Sequence, residues 1–352
     1  MHSSPAAGTA ASPPPSFPVR FLAAGTCLSH PEKKRGEDAY FASARALGVA
    51  DGVGGWAEKG IDAGEYARAL MVAAERECAL HLSRGESPAP LAVLGAAHRS
   101  VRLEGSSTAV LVVAGQDGRV RLINVGDSGV QLWRRARLAT PMPLSLAEAG
   151  RLWSCERTAE MTTHGFNFPK QLAARPDISD KPASGVQAEW GVVGGELLVA
   201  ASDGVWDNLG EDAIRATLAR FDFSPCLAYA RVQKTRYEQA RAIAAGGGGA
   251  PLGIGEGGTG KVLETRYPLA PEAHVSELEV KEREKLCLGQ LAGMSAALAM
   301  GAQKVGADPR ARSPFAEAAA RAGMRFSGGK LDDATVVCAL VTADPAGIDL
   351  YQ

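Results

Sequence analysis

The strongest constraint in this chain of 352 residues is where its acidic side chains fall. Five short acidic segments recur along it: Gly36-Glu37-Asp38, Asp51-Gly52, Gly126-Asp127-Ser128, Asp203-Gly204 with Asp207, and Asp332-Asp333. Most sit at the end of an apolar run. One Asp-Gly pair is only a turn. Five acidic strand ends in one folded unit suggest carboxylates gathered from rigid positions.

Hard divalent cations such as Mg²⁺ and Mn²⁺ take oxygen ligands in octahedral geometry and keep several waters. Few carboxylates are therefore needed per ion, and they must come from rigid elements. A Gly beside a ligand Asp lets the backbone approach closely, and its carbonyl is itself a donor. Two such ions about 3.5–4 Å apart share a water, lower its pKa and aim it at phosphorus. Converging carboxylates without cations would repel and raise one another's pKa. The pattern therefore points to a metal-dependent hydrolase. Asp117-Gly118 is set apart, because it falls at the tip of a hairpin.

Composition narrows the alternatives. The chain is 46% hydrophobic and 22% charged, with a formal net charge of -1. That is globular composition with ample length for a large core. No basic stripe dominates, which argues against non-specific binding to nucleic acid or to a membrane surface. No apolar run reaches the ~18 residues of a membrane span. Six cysteines, at 27, 78, 155, 226, 287 and 338, form no CxxC pair. Buried free thiols in a reducing compartment are expected. Residues 1–18 hold no Lys, Arg, Asp or Glu. They lack the features of a secretory signal and the arginines of a transit peptide. A disordered tail is expected there, followed by a single folded unit over 19–345.

Hydrophobic patterning places the elements. Residues 46–50 read as a short buried strand leading into Asp51. Tyr66, Leu70, Ala73, Ala74 and Leu80 mark an amphipathic helix over 62–82, with a second helix at about 90–103. Residues 108–114 and 119–125 flank a tight turn at 115–118, a strong hairpin signal. Strands are also expected at 129–133, 196–201 and 334–341, and helices at 211–220 and 275–303. A Gly-rich stretch at about 245–262 reads as a surface insertion. Within it, Gly255 to Lys261 nearly forms a phosphate-binding loop, but Val262 occupies the position that needs a hydroxyl. Strands joined by tight turns, with helices in separate blocks, predict an α+β fold of antiparallel sheets with helices packed outside.

The motifs also resemble a known family. Glu37-Asp38-Ala39, residues 49–55 (Val-Ala-Asp-Gly-Val-Gly-Gly), residues 105–109 (Gly-Ser-Ser-Thr-Ala), residues 124–129 (Asn-Val-Gly-Asp-Ser-Gly), residues 202–208 (Ser-Asp-Gly-Val-Trp-Asp-Asn) and residues 332–337 (Asp-Asp-Ala-Thr-Val-Val) match, in order, the motifs of the PP2C-type metal-dependent serine/threonine phosphatases. The match runs from about 36 to 341. Asp51 to Trp56, residues 163–172, and Ser313 to Ala316 ahead of 328–333 make it most similar to the PTC7 branch of that family.

The resemblance implies a four-layer α/β/β/α sandwich: two antiparallel sheets flanked by helices. It implies hydrolysis of phosphoserine and phosphothreonine in proteins by in-line attack of a water bridging two Mg²⁺ or Mn²⁺ ions. Asp51 would bridge the ions and the Gly52 carbonyl would bind one. Glu37, Asp203 and Asp332 would complete the set, with Asp38 behind them. Asp127 and Asp207 match positions used for a third, weaker ion. Lys33 stands where many relatives carry a phosphate-binding Arg. Val53 replaces a His proposed in many members as the general acid, a departure the PTC7 branch shares. His164 is a candidate for that role. The expected partners are phosphoproteins, acted on by a monomer within the cell, with mitochondria a setting of the branch. Two alternatives stay open: a pseudophosphatase that binds without catalysis, and a hydrolase of small phosphoesters.

Overall fold

The structure, a computed structural model, describes residues 17–136, 145–244 and 275–345. The tail expected over 1–18 falls almost wholly outside these residues. So do the Gly-rich stretch at about 245–262 and the near phosphate-loop motif within it.

The strands, in chain order, are β1 (Val19–Leu28), β2 (Ala39–Ala42), β3 (Ala46–Ala50), β4 (Ser106–Ser107), β5 (Ala109–Ala114), β6 (Arg119–Val125), β7 (Gly129–Arg135), β8 (Trp153–Thr158), β9 (Thr163–Gly165), β10 (Phe168–Pro169), β11 (Leu172–Ala173), β12 (Val186–Gly191), β13 (Leu197–Ala201) and β14 (Ala334–Ala343). The α-helices are α1 (Ala63–Ser83), α2 (Pro90–Ser100), α3 (Leu146–Arg151), α4 (Asp203–Trp206), α5 (Glu211–Leu218), α6 (Ser224–Ala244), α7 (Glu277–Gly306) and α8 (Pro314–Arg321). One five-stranded sheet runs β1-β14-β13-β7-β8 and the other β12-β6-β5-β3-β2. Every pairing within both is antiparallel.

Strand alternation builds three apolar layers. In β14, Val337, Ala339 and Val341 point into the space between the sheets, while Val336, Cys338 and Leu340 point outward under helices. In β5, Val110 and Val112 face inward and Leu111 and Val113 face the other helical layer. Both faces of these strands are buried, so they read as unbroken apolar runs despite being antiparallel. The inner layer joins Val49, Leu122, Leu132 and Leu198. Tyr66, Leu70 and Met71 of α1 cover one outer face with Val93 and Leu94 of α2. Leu291, Met294 and Leu298 of α7 cover the other with Tyr229 of α6. The result is the α/β/β/α sandwich expected from the sequence.

Local signals account for the helix starts. Asp62 caps α1 by accepting from the Gly64 N–H at 2.9 Å. Ser276 and Glu279 form a reciprocal capping box that starts α7. The charged beginning of α7 stays largely in water and its small-residue end packs on the sheet. The helix α6 carries a weak apolar pattern and was not expected from the sequence. Leu80, expected on the inner face of α1, is 39% exposed. Cys27 is exposed and Cys155 half-buried, so the expectation of six buried thiols holds for the other four. No helix among the described residues is long and apolar enough to cross a membrane.

Leu298 is fully buried against the outer face of the first sheet. Truncation there leaves a cavity that neighbouring strands cannot collapse to fill. Leu298→Ala is expected to lose about 2–5 kcal/mol in urea unfolding, whereas Met300→Ala, 63% exposed on the same helix, is expected to change stability by no more than about 0.5 kcal/mol.

Candidate functional site

Strand register brings the acidic segments to one end of the sandwich. Ala39 pairs with Ala50, which sets Asp38 beside Asp51. Leu28 pairs with Ala334, which sets the loop carrying Lys33 and Glu37 beside Asp332 and Asp333. Ala201 pairs with Gly129, which sets Asp203 beside Asp127. Two β3–β5 and β13–β14 pairings then lock the two groups of ends into the centre of each sheet. The outcome is a cavity of about 290 Å³ with Glu37, Asp51, Asp127, Asp203 and Asp332 in its wall. Gly52, Val53, Lys33 and Lys330 also line it.

Close backbone approach makes this convergence achievable at Gly204. A Cβ there would lie 1.9 Å from the Asp333 carbonyl oxygen. Only Gly lets the start of α4 meet the Asp332-Asp333 segment. Gly52 has the same character, with Ala63 and Glu37 backbone atoms at 2.8 Å from an added Cβ.

Neutral groups hold the frame. The Asp51 N–H donates to Thr108 Oγ1 at 3.1 Å, and that hydroxyl lies 2.7 Å from Ser128 Oγ. Ser202 Oγ donates to Asp38 Oδ2 at 2.7 Å and accepts from the Thr335 N–H at 3.0 Å. Asp333, buried, accepts from the His30 N–H, the Glu37 N–H and Lys33 Nζ at 2.6, 2.7 and 2.9 Å. It is a support for the Lys33–Glu37 loop rather than part of the cavity wall.

Two ammonium groups balance the carboxylates. Lys33 Nζ donates to Glu37 Oε2 at 2.6 Å as well as to Asp333. Lys330 Nζ donates to Asp203 Oδ2 at 2.5 Å and Asp207 Oδ2 at 2.8 Å, and lies 3.7 Å from Asp332 Oδ2. Asn208, buried, clamps the Lys330 segment. Its Nδ2 donates to the Gly204 and Lys330 carbonyls, and its Oδ1 accepts from the Lys330 N–H at 2.9 Å.

The charges perturb one another in the way such crowding demands. Burial first, then the carboxylates of Asp38 and Asp203, push Asp51 well above the usual carboxylate range. Burial, reinforced by neighbouring acids, pushes Asp38, Asp127 and Asp207 up to about 7. Burial and Asp203 also raise Asp332. Asp203 is the exception. Burial, the largest influence, opposes its ionisation, but the Lys330 charge together with hydrogen bonds from Asp51, Lys330 and the Gly204 backbone outweighs it and holds the carboxyl below its ordinary value. Desolvation likewise disfavours charge on Lys330, yet Asp203, Asp207 and Asp332 keep it protonated above the ordinary Lys range.

The donor set is suited to a hard cation. Every candidate ligand is an oxygen, from carboxylates or from the Gly52 carbonyl. Asp38 Oδ1 and Asp203 Oδ1 are buried without a hydrogen-bond partner. Orphaned buried oxygens are rare in folded proteins, and a cation is one way to satisfy them. As they stand, no three His, Cys, Asp or Glu side chains among the described residues are arranged to hold an ion. Lys33 and Lys330 occupy Glu37 Oε2, Asp203 Oδ2 and Asp207 Oδ2 among these oxygens.

Most of the residues expected from the sequence are brought together here: Lys33, Glu37, Asp51, Gly52, Asp127, Asp203 and Asp332 line the cavity. Asp38 lies behind it on Ser202, and Asp207 reaches it through Lys330. His164 does not line the cavity. Its Nε2 lies 2.9 Å from Asp180 Oδ2 and its ring is 5.1 Å from that of Phe168. Sequence reasoning missed Lys330 and Asn208 as site residues, although both stand inside the matched motifs.

No protein-family model matches the chain. Curated relatives do. The chain is similar to the "Probable protein phosphatase 2C 80" of Arabidopsis thaliana, 33% identical over 92% of this chain and 59% of that protein. It is also similar to the "Protein phosphatase PTC7 homolog fig" of Drosophila simulans, 34% identical over 52% of this chain and 57% of that protein. The chain thus spans between half and three-fifths of the length of these relatives. Among solved structures it resembles "X-ray structure of the photosystem II phosphatase PBCP" with a TM-score of 0.62 at 20% identity, covering 92% of this chain and 99% of that one. That likeness establishes the shared fold.

Lys330 is the main counter-charge of the cluster, so removing it exposes three carboxylates to one another. In metal-free protein, Lys330→Met is expected to lose about 3–5 kcal/mol of unfolding free energy. Lys34→Met, outside the cluster, is expected to change it by less than about 0.5 kcal/mol. Equal effects of the two would show that Lys330 does not balance the acids.

Proposed function

Taking as premise that the chain belongs to the PP2C-type protein phosphatase family, on its PTC7-like side, we propose that it is a divalent-cation-dependent phosphatase acting on phosphoserine and phosphothreonine in proteins. The observation that carries this reading is the convergence of five carboxylates from separate strand ends on one cavity. Residues 19–345 are the unit that would perform it.

In this reading Asp51 and the Gly52 carbonyl hold the ions, with Glu37, Asp203 and Asp332 completing the set and Asp127 and Asp207 available to a further ion. Bound Mg²⁺ or Mn²⁺ supplies a water nucleophile at neutral pH and neutralises the phosphoryl oxygens. The protein's own groups do the positioning. Thr108 fixes the backbone of Asp51. Ser202 orients Asp38. Lys33 stands on the cavity wall as a point charge for the incoming phosphate, without the two-pronged geometry of Arg. Val53 offers no proton to the leaving alkoxide, and no histidine is among the residues lining the cavity. His164, the acid candidate from the sequence, lies outside the cavity wall and contacts Asp180.

Hydrolysis of p-nitrophenyl phosphate with Mn²⁺ tests the reading. The wild-type chain is expected to turn the ester over and to stop on addition of EDTA. Asp203→Asn is expected to lower kcat at least about 100-fold while retaining a cooperative unfolding transition. Full activity in that variant, or activity that survives EDTA, would remove the assignment.

A further inference from the structure

A second cavity of about 390 Å³ adjoins the acidic one and shares Asn167 and Lys330 with it. Its walls are mostly aromatic and aliphatic, from Phe166, Phe315, Ala319, Met324 and Phe326, with the exposed Arg325 also in the lining. The rings form a chain, Phe166 to Phe315 at 5.0 Å and Phe315 to Phe326 at 4.8 Å between centroids. Lys330 Nζ lies 5.2 Å from the centroid of Phe315 while donating to Asp203 on its other side. The lysine is thus the partition between an acidic chamber and an apolar one. Met324 is 54% exposed and Phe326 42%. Large apolar side chains left this open, next to a charged centre, are a feature that burial alone does not explain.

We propose that this aromatic pocket is a substrate subsite, which takes a large apolar side chain of a phosphopeptide whose phosphorylated residue sits in the acidic cavity. The inference rests on the phosphatase reading above and adds a substrate preference to it. Continuity of the two cavities across Lys330 carries it. Only one side-chain thickness separates them, and an extended peptide advances about 3.3 Å per residue. A residue about two or three positions from the phosphoserine therefore reaches the pocket. Phe, Leu or Met there buries apolar area against the three rings and Met324. Ala leaves the pocket filled with water. Asn167, in the left-handed backbone conformation at φ 52°, forms the shared rim and fixes the turn that presents Phe166.

Phosphoserine peptides with Phe or Ala at each of three positions on either side test the proposal, with p-nitrophenyl phosphate as a probe that carries no neighbouring peptide side chain. At one of these positions the Phe peptide is expected to exceed the Ala peptide in kcat/KM by roughly 10- to 100-fold. Phe326→Ala and Met324→Ala, each separately, are expected to reduce that ratio several-fold and leave kcat/KM for p-nitrophenyl phosphate unchanged. Two half-exposed positions guard against loss of folding in one variant. Turnover of p-nitrophenyl phosphate with no Phe preference at any position would overturn the subsite and leave the phosphatase reading standing. A concentration-dependent dimer that Phe326→Ala abolishes, without peptide preference, would overturn it in favour of a second copy of the chain. Failure to hydrolyse p-nitrophenyl phosphate at all would count against the phosphatase reading itself.

Discussion

Mutual repulsion among buried carboxylates is the constraint on which the rest of this structure depends. Asp38, Asp51, Asp127, Asp203 and Asp332 meet at one end of the sandwich, and four of the five are pushed above the normal carboxylate range. Groups so placed cannot all be ionised without positive charge among them. Lys330 and Lys33 provide it, each by direct contact with two carboxylates. Such an arrangement is weak evidence for stability, since hydrophobic replacements of buried ions are often neutral or better. It is better understood as a site whose charge is kept for binding.

The sheets exist to impose that convergence. Strands β3, β5, β13 and β14 are buried on both faces, so their registers cannot slip by one residue without turning a core layer into the wrong face. The strand ends inherit this rigidity. Asp51 directly follows β3, while Asp203 follows β13 and Asp332 precedes β14 with one residue between in each case. Loops would let the carboxylates relax apart. Two close approaches, at Gly52 and Gly204, finish the geometry where a Cβ would hold the segments away from each other.

Much of this was legible in the chain itself. The apolar runs at 46–50, 108–114, 196–201 and 334–341 announce strands, and the acidic residues at the ends of most of them announce the site. Helix α1 was legible through Tyr66, Leu70 and Ala74 at helical spacing. What the pattern hid has physical reasons. Helix α6 mixes charges with a thin apolar face, because it is covered on one side only. The short strands Phe168–Pro169 and Leu172–Ala173 are too brief to carry a period. Lys330 reads as an exposed basic residue among glycines, and nothing local reveals that the fold swings it under Asp203 and over Phe315. His164 stands among the aromatics of residues 163–172, a chemically attractive setting, but nothing local in the sequence shows that its imidazole meets Asp180, sixteen residues on.

The same lysine joins the two halves of the functional account. It neutralises the acids on one face and packs on an aromatic ring on the other, so the proposed cation site and the proposed apolar subsite meet at one side chain. The most direct test of the central claim is an anomalous difference map from crystals grown with Mn²⁺. The account predicts peaks in direct contact with the Asp51 carboxylate and the Gly52 carbonyl, with Lys330 Nζ moved off Asp203. A map with no peak in the cavity, and Lys330 still bonded to Asp203 and Asp207, would contradict it.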